Sequence, residues 1–137
     1  AFAERLAARA EDLGIADRIT MTGVLGEGEL DAAYRAADLL IAPSRTESYG
    51  MAIADALGRG IPVIASRVGG IPATVAPGRS TVLVSPEPWA LSRALGRWMT
   101  DPALRGRLKR EALRGRGDLP RWRDTVSVVA QSLARIQ

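Results

Sequence analysis

The chain has 137 residues, a formal charge of +4, 47% apolar and 25% charged residues and only 4% aromatics, which suits one domain with a core of Ala, Leu, Val and Ile. No apolar run approaches the ~18 residues of a membrane span, and zero cysteines exclude disulfides and thiolate metal sites. With zero histidines as well, any chemistry falls to carboxylates, hydroxyls, arginines and backbone dipoles. In chain order, Phe2, Leu6, Ala10 and Leu13 share a helical spacing that Gly14 ends. Arg18 to Thr22 reads as a short strand closed by Gly23, and Glu29 to Ala37 as a helix with Leu30, Ala33 and Ala37 on one face. Leu39 to Ala42 is an apolar strand, Met51 to Arg59 a helix closed by Gly60, and Pro62 to Ala65 a second apolar strand. Gly69-Gly70-Ile71-Pro72 opens a short helix with Pro72 in its first turn. Thr81 to Val84 is a fourth strand, and helices follow at about 89–99, 102–114 and 121–136.

Strands that alternate with helices and are apolar on both faces predict a parallel sheet covered on both sides. Four short strands fall below the usual five or six of a doubly wound domain. The chain also starts at Ala1, on a helix that a strand should precede. The expectation is therefore a Rossmann-like α/β domain whose first strands lie upstream: a partial domain over 1–117, then a C-terminal helix over 118–137. The Arg/Gly-rich stretch Arg114 to Asp118 is the candidate linker. Basic residues gather late, from Arg105 to Arg123, with Lys109 the only lysine. Heavy Ala, Arg, Gly and Leu usage points to a GC-rich bacterial genome, so part of the arginine excess is genomic bias. The cluster reads first as a solvated helix face and second as a contact for an anionic membrane surface. Without interleaved aromatics, nucleic acid is the weakest reading.

The run from Pro43 to Ala65 carries the functional signal. An apolar strand ends, a polar loop holds Glu47 and Gly50, and a small-residue helix leads into the next strand. Helix N-termini leave unsatisfied N–H groups and a partial positive charge, so the amides of Tyr49, Gly50 and Met51 suit an anion such as a diphosphate. Glu47 stands where a carboxylate accepts from ligand hydroxyls; the plainer alternative is complementing the helix dipole. Asp55 follows eight residues on, about 12 Å along the axis. That spacing is too long for an acid/base dyad, which needs carboxyls roughly 5–10 Å apart, and better suited to holding two ends of an elongated ligand. The plainer alternative is an i,i+4 pair with Arg59. Gly69-Gly70 reads as a turn or as an anion nest.

These residues resemble the C-terminal, donor-binding domain of family 4 retaining glycosyltransferases of the two-Rossmann (GT-B) architecture. That family's signature is an acid, seven residues and a second acid, between Pro-Ser and Gly-x-Pro-Val. Here it reads Pro43-Ser44, Glu47 through Asp55, and Gly60-Ile61-Pro62-Val63. Further pieces in the right order are Ala16-Asp17-Arg18-Ile19 with Thr22-Gly23, Ala36-Ala37-Asp38, Gly69-Gly70-Ile71-Pro72 and Trp122, so the similarity covers roughly 1–125. Three positions depart from the pattern: Asp55 where the second acid is usually Glu, Ala73 where Glu is common, and Pro77-Gly78-Arg79-Ser80 in place of an Asn-Gly turn.

The resemblance implies roles. Glu47 is the catalytic carboxylate contacting hydroxyls of the donor hexose, and Ser48, Tyr49, Gly50 and Met51 face its sugar and diphosphate. Asp55 holds the ribose diol, and Gly23, Val24 and Leu25 border the base. The family retains the anomeric configuration, through a front-face path in which the leaving phosphate helps deprotonate the acceptor. It needs neither metal nor cofactor, in keeping with the lack of any Asp-x-Asp here; the substrate is a UDP- or GDP-sugar. The implied partner is an N-terminal acceptor domain of the same parent chain, carrying a glycan, lipid or small-molecule acceptor, and the phosphate-clamping Arg and Lys lie upstream. A cytoplasmic location is expected, with peripheral contact at the inner membrane face left open. The alternative is a non-catalytic glycosyltransferase-like domain with a structural or regulatory role.

Overall fold

The computed structural model describes residues 2–75, 80–117 and 122–135. Its contacts divide the chain into two compact units, Ala1–Ala33 and Tyr34–Gln137.

In the first unit, α1 (Phe2–Asp12) buries Ala10. The helix closes through paired reverse bonds, Gly14 N–H to the Glu11 carbonyl and Ile15 N–H to the Ala10 carbonyl, both 2.9 Å. Ala16–Arg18 winds a 3-10 turn. The predicted strand Arg18 to Thr22 is not one: Arg18 belongs to that turn, and 19–22 pair with no strand among the described residues. Ile19 has extended dihedrals, but an extended segment becomes a strand only through a ladder partner. Next, α2 (Glu27–Ala36) starts two residues before the predicted Glu29. Gly26 is its cap: Leu30 N–H bonds the Gly26 carbonyl, and Glu29 Oε2 accepts from Gly26 N–H, each at 2.9 Å.

The second unit holds a parallel sheet of β1 (Leu40–Ala42), β2 (Val63–Ser66) and β3 (Thr81–Val84), in that order. Among the described residues three strands form where four were expected, for the reason just given. Ile41 pairs with Ile64 and Ile64 with Val82. β2 is buried along its length, as expected of the central strand in a sheet covered on both faces. Because side chains alternate, Val63 and Ala65 join one cluster and Ile64 the other. The first cluster takes Ile53, Ala56 and Leu57 from α3 (Met51–Gly58) and Ile71 from α4 (Ile71–Thr74). The second takes Trp98 from α5 (Pro88–Thr100) and Leu104 and Leu108 from α6 (Pro102–Arg114).

The α5–α6 corner is well capped. Asp101 Oδ1 accepts from Leu104 N–H at 2.9 Å with Pro102 at the first helical position. Arg105 Nη1 donates to the carbonyls of Trp98 and Met99 at 2.9 and 2.7 Å. The expected linker is partly structured: Gly115–Gly117 forms a 3-10 turn beside α3, with the Arg116 side chain against Gly60. Asp118 lies outside the described residues, as do Pro77, Gly78 and Arg79 of the expected turn. In α7 (Trp122–Ala134), Val126, Val129 and Leu133 are exposed. The Trp122 side chain and Ile136 lie outside the described residues. Among the described residues no helix is long and apolar enough to cross a membrane.

Candidate functional site

Two loops leave the carboxyl ends of β1 and β2, the position where open α/β sheets receive ligands. The first runs from Pro43 to Gly50 and feeds α3. Gly50 is the N-cap of α3 at φ 89°, ψ 54°, a left-handed conformation that a side chain would strain. Ala54 N–H bonds the Gly50 carbonyl at 3.0 Å, starting the helix without a side-chain cap. The second loop, 67–70, lies flat against the first. A Cβ on Gly69 would overlap the Glu47 carbonyl, and one on Gly70 the Ser48 carbonyl. Only glycine allows this backbone-on-backbone seat.

The seat is pinned by hydrogen bonds. Gly70 N–H donates to the Glu47 carbonyl at 3.0 Å. The buried Thr74 hydroxyl donates to the Tyr49 carbonyl and lies 3.3 Å from that of Gly70. Glu47 Oε1 receives a long 3.4 Å bond from Tyr49 N–H. Between the loops opens a cleft of about 460 Å³ lined by Arg45, Thr46, Glu47, Ser48 and Gly69. The cleft thus joins one guanidinium and one carboxylate to a peptide edge. Of the predicted residues, Glu47 and Ser48 line it, while Tyr49, Gly50 and Met51 continue the same turn; Tyr49 and Met51 are exposed and Gly50 is buried.

Asp55 sits on the flank of α3, whose buried face is Ile53, Ala56 and Leu57. Its side chain is 51% exposed and stands 3.7 Å from Arg59 Nη1, so the i,i+4 pair is formed. The Arg59 guanidinium also lies 4.6 Å over the Tyr34 ring. Burial pushes the Tyr34 hydroxyl above its usual pKa, the Asp55 charge adds to that, and Arg59 opposes it. Gly23, Val24 and Leu25 belong to the other unit, in the loop before α2, where Val24 is 100% exposed. Ala73 is exposed beside Thr74. No group of three or more candidate metal ligands occurs among the described residues.

Sequence reasoning missed Thr74 and Arg45. Thr74 is 25 residues from its partner Tyr49 and ends a short helix that showed only its Gly-Gly-Ile-Pro opening. Arg45 lay within the informative run, but nothing distinguished it from a solvated arginine.

The family described as Glycosyl transferases group 1 matches residues 2–114. The chain belongs to that family. Its sheet and helices are those of a GT-B C-terminal domain. Sucrose-phosphate synthase from Thermosynechococcus elongatus superposes with a TM-score of 0.83 at 30% identity, over 97% of this chain and 34% of its own. HepE from Anabaena, solved in complex with UDP, gives 0.84 at 21% identity over 97% and 36%, a likeness of fold. In sequence, the D-inositol 3-phosphate glycosyltransferase of Streptomyces avermitilis is 42% identical over 112 residues, 81% of this chain and 24% of that protein. The chain thus spans about a quarter of the length of the curated relatives it matches.

Proposed function

We propose that the protein carrying this chain is a retaining hexosyltransferase and that the cleft beside Glu47 receives its UDP- or GDP-hexose donor. The observation that carries the reading is the seat of the Glu47–Met51 turn, an acid and open amides at the carboxyl ends of two parallel strands. Family membership over 2–114 supports it, as does the UDP bound by a protein of the same fold. Glu47 would accept from donor hydroxyls, and the 48–51 amides would meet the sugar and diphosphate. Asp55 would take the ribose diol, exchanging its long contact with Arg59 for two shorter bonds. Gly23 to Leu25 would border the base. Charge gathering on the departing diphosphate would be stabilised by the α3 N-terminus and the loop amides, fixed dipoles that need no reorganisation.

The reaction so drawn uses no metal or cofactor and retains configuration through the donor's front face. An acceptor domain elsewhere in the protein would complete the site. The work would take place in the cytoplasm, with the basic α6 region available to the inner membrane face. The relatives' name makes D-inositol 3-phosphate the first acceptor to assay.

The test is hexosyl transfer by the intact protein from UDP- and GDP-hexoses, with product configuration read by NMR. Glu47→Gln should cut turnover at least about 100-fold, in line with loss of a group aimed at the reacting sugar, with unchanged thermal stability. A second reading, a non-catalytic domain with a structural or regulatory role, draws on the Asp55–Arg59 pair and on Ala73. It requires Glu47→Gln to change nothing but the surface charge.

A further inference from the structure

Thr74 stands on α4, outside the loop whose shape it fixes, and is 8% exposed. We infer that Thr74 is a positioning residue for the backbone of the cleft: by holding the Tyr49 carbonyl, it turns the Gly50 N–H to the other side of the peptide plane and keeps it open for a ligand oxygen. The inference deepens the donor-binding reading above and rests on it.

The geometry is that of one peptide unit. In a planar trans peptide the C=O and N–H point in opposite directions, so a carbonyl anchored on α4 sends the next N–H away from α4. Gly50 is buried, and among the described residues its N–H meets no acceptor. An amide without a protein partner must be satisfied by water or by a ligand. Rotating the 49–50 peptide would let it seek a partner, and the Thr74 hydroxyl stands against that rotation. The 47–48 peptide, two units earlier, is treated alike: the Glu47 carbonyl is held by Gly70 N–H at 3.0 Å, and Ser48 N–H meets no acceptor among the described residues. Two alternate amides are thereby left open by two anchors on the neighbouring loop and helix. Tyr49 N–H, between them, is occupied by Glu47 Oε1 at 3.4 Å. Ser48 and Gly50 are thus the two loop amides whose peptide planes these anchors set, and Met51 N–H, the first of α3, likewise meets no acceptor among the described residues.

Thr74→Val keeps the shape and removes the hydroxyl; Thr74→Ser keeps the hydroxyl. In the intact protein, Thr74→Val should lower kcat about tenfold, the scale of one hydrogen bond, with a smaller change in KM, and Thr74→Ser should restore it. Hydrogen–deuterium exchange without ligand should be several-fold faster over 46–55 in Thr74→Val and unchanged in Thr74→Ser. Unaltered exchange and kcat in Thr74→Val overturn the inference. So does an equal loss in both variants with a matching fall in Tm, which marks Thr74 as core packing alone. A wild-type protein that transfers hexose from no nucleotide sugar sinks the donor reading instead, and the exchange comparison then decides Thr74 by itself.

Discussion

On one face of the sheet the residues following β2 meet backbone; on the other, β2 meets large side chains. Beside α3 and α4, Gly69 and Gly70 press on the carbonyls of Glu47 and Ser48, and Thr74 reaches the carbonyl of Tyr49. Beside α5 and α6, Ile64 is covered by Trp98, Leu104 and Leu108. Volume closes that second face, and its coverage stops short of β1: Ile41 is 38% exposed, whereas its partner Ile64 is 1% exposed. Backbone contacts fix peptide planes, which a ligand reads directly. Side-chain contacts fix stability and leave the planes alone. Both faces carry buried side chains, Ile53, Leu57 and Ile71 on the first among them, but only the first also fixes the peptide planes of the candidate site.

The largest effect should come from the second face. Trp98→Ala removes the largest side chain against Ile64 and should cost about 3–5 kcal/mol in urea unfolding. At temperatures where the variant stays folded, donor affinity should match wild type. A variant that remains folded yet loses the donor would break the division between the faces.

Gly70→Ala attacks the first face. The added methyl meets a backbone carbonyl that no rotamer change can move aside, so the loops must part. Overpacking of this kind costs about 1–3 kcal/mol, less than the tryptophan deletion, while donor affinity should fall much further than it does in Trp98→Ala. Calorimetric titration with UDP and GDP, set beside urea unfolding, measures both. A loss of stability with intact affinity would show that the seat is structural only.

Much of this arrangement was legible in the sequence. Parallel strands announce themselves as apolar runs, so β1, β2 and β3 fell within a residue or two of their expected bounds, and the Glu47 turn was found where two such runs flank a helix. The seat of Gly70 on Ser48 was not legible, because it joins residues 22 apart through backbone atoms that carry no sequence signal. The segment 19–22 misled for the opposite reason: its pattern describes a residue's preference for extension, whereas a strand also requires a neighbour. The start of α2 was encoded, in Gly26 and Glu29 at capping-box spacing, but the apolar period beginning at Leu30 drew the boundary too late. Asp55 shows a further limit, since the pair with Arg59 and a role toward ligand use the same exposed carboxylate and the sequence weighs neither.

The smallest effect concerns a tie from α6 to Asp38, two residues before β1. Lys109 Nζ lies 2.6 Å from Asp38 Oδ1, and both side chains are largely in solvent, so the pair is worth at most about 1 kcal/mol. The hydrogen bond from Lys109, then its charge, with a further contribution from Arg105, holds the Asp38 carboxyl below the usual carboxylate range against a slight burial cost. A carboxyl whose pKa is depressed by folding adds stability above its unfolded value, near pH 4, and surrenders it as pH falls through the folded value. Lys109→Met should therefore lower the urea midpoint slightly at pH 7 and less in acid, once the pH has fallen through the lowered value of folded Asp38. Salt should shrink the pH 7 difference as well, because the pair is exposed. Equal differences at pH 7 and in acid would mean that the methylenes of Lys109, rather than its charge, supply the tie, bringing this contact under the same rule of side-chain volume that governs the rest of its face.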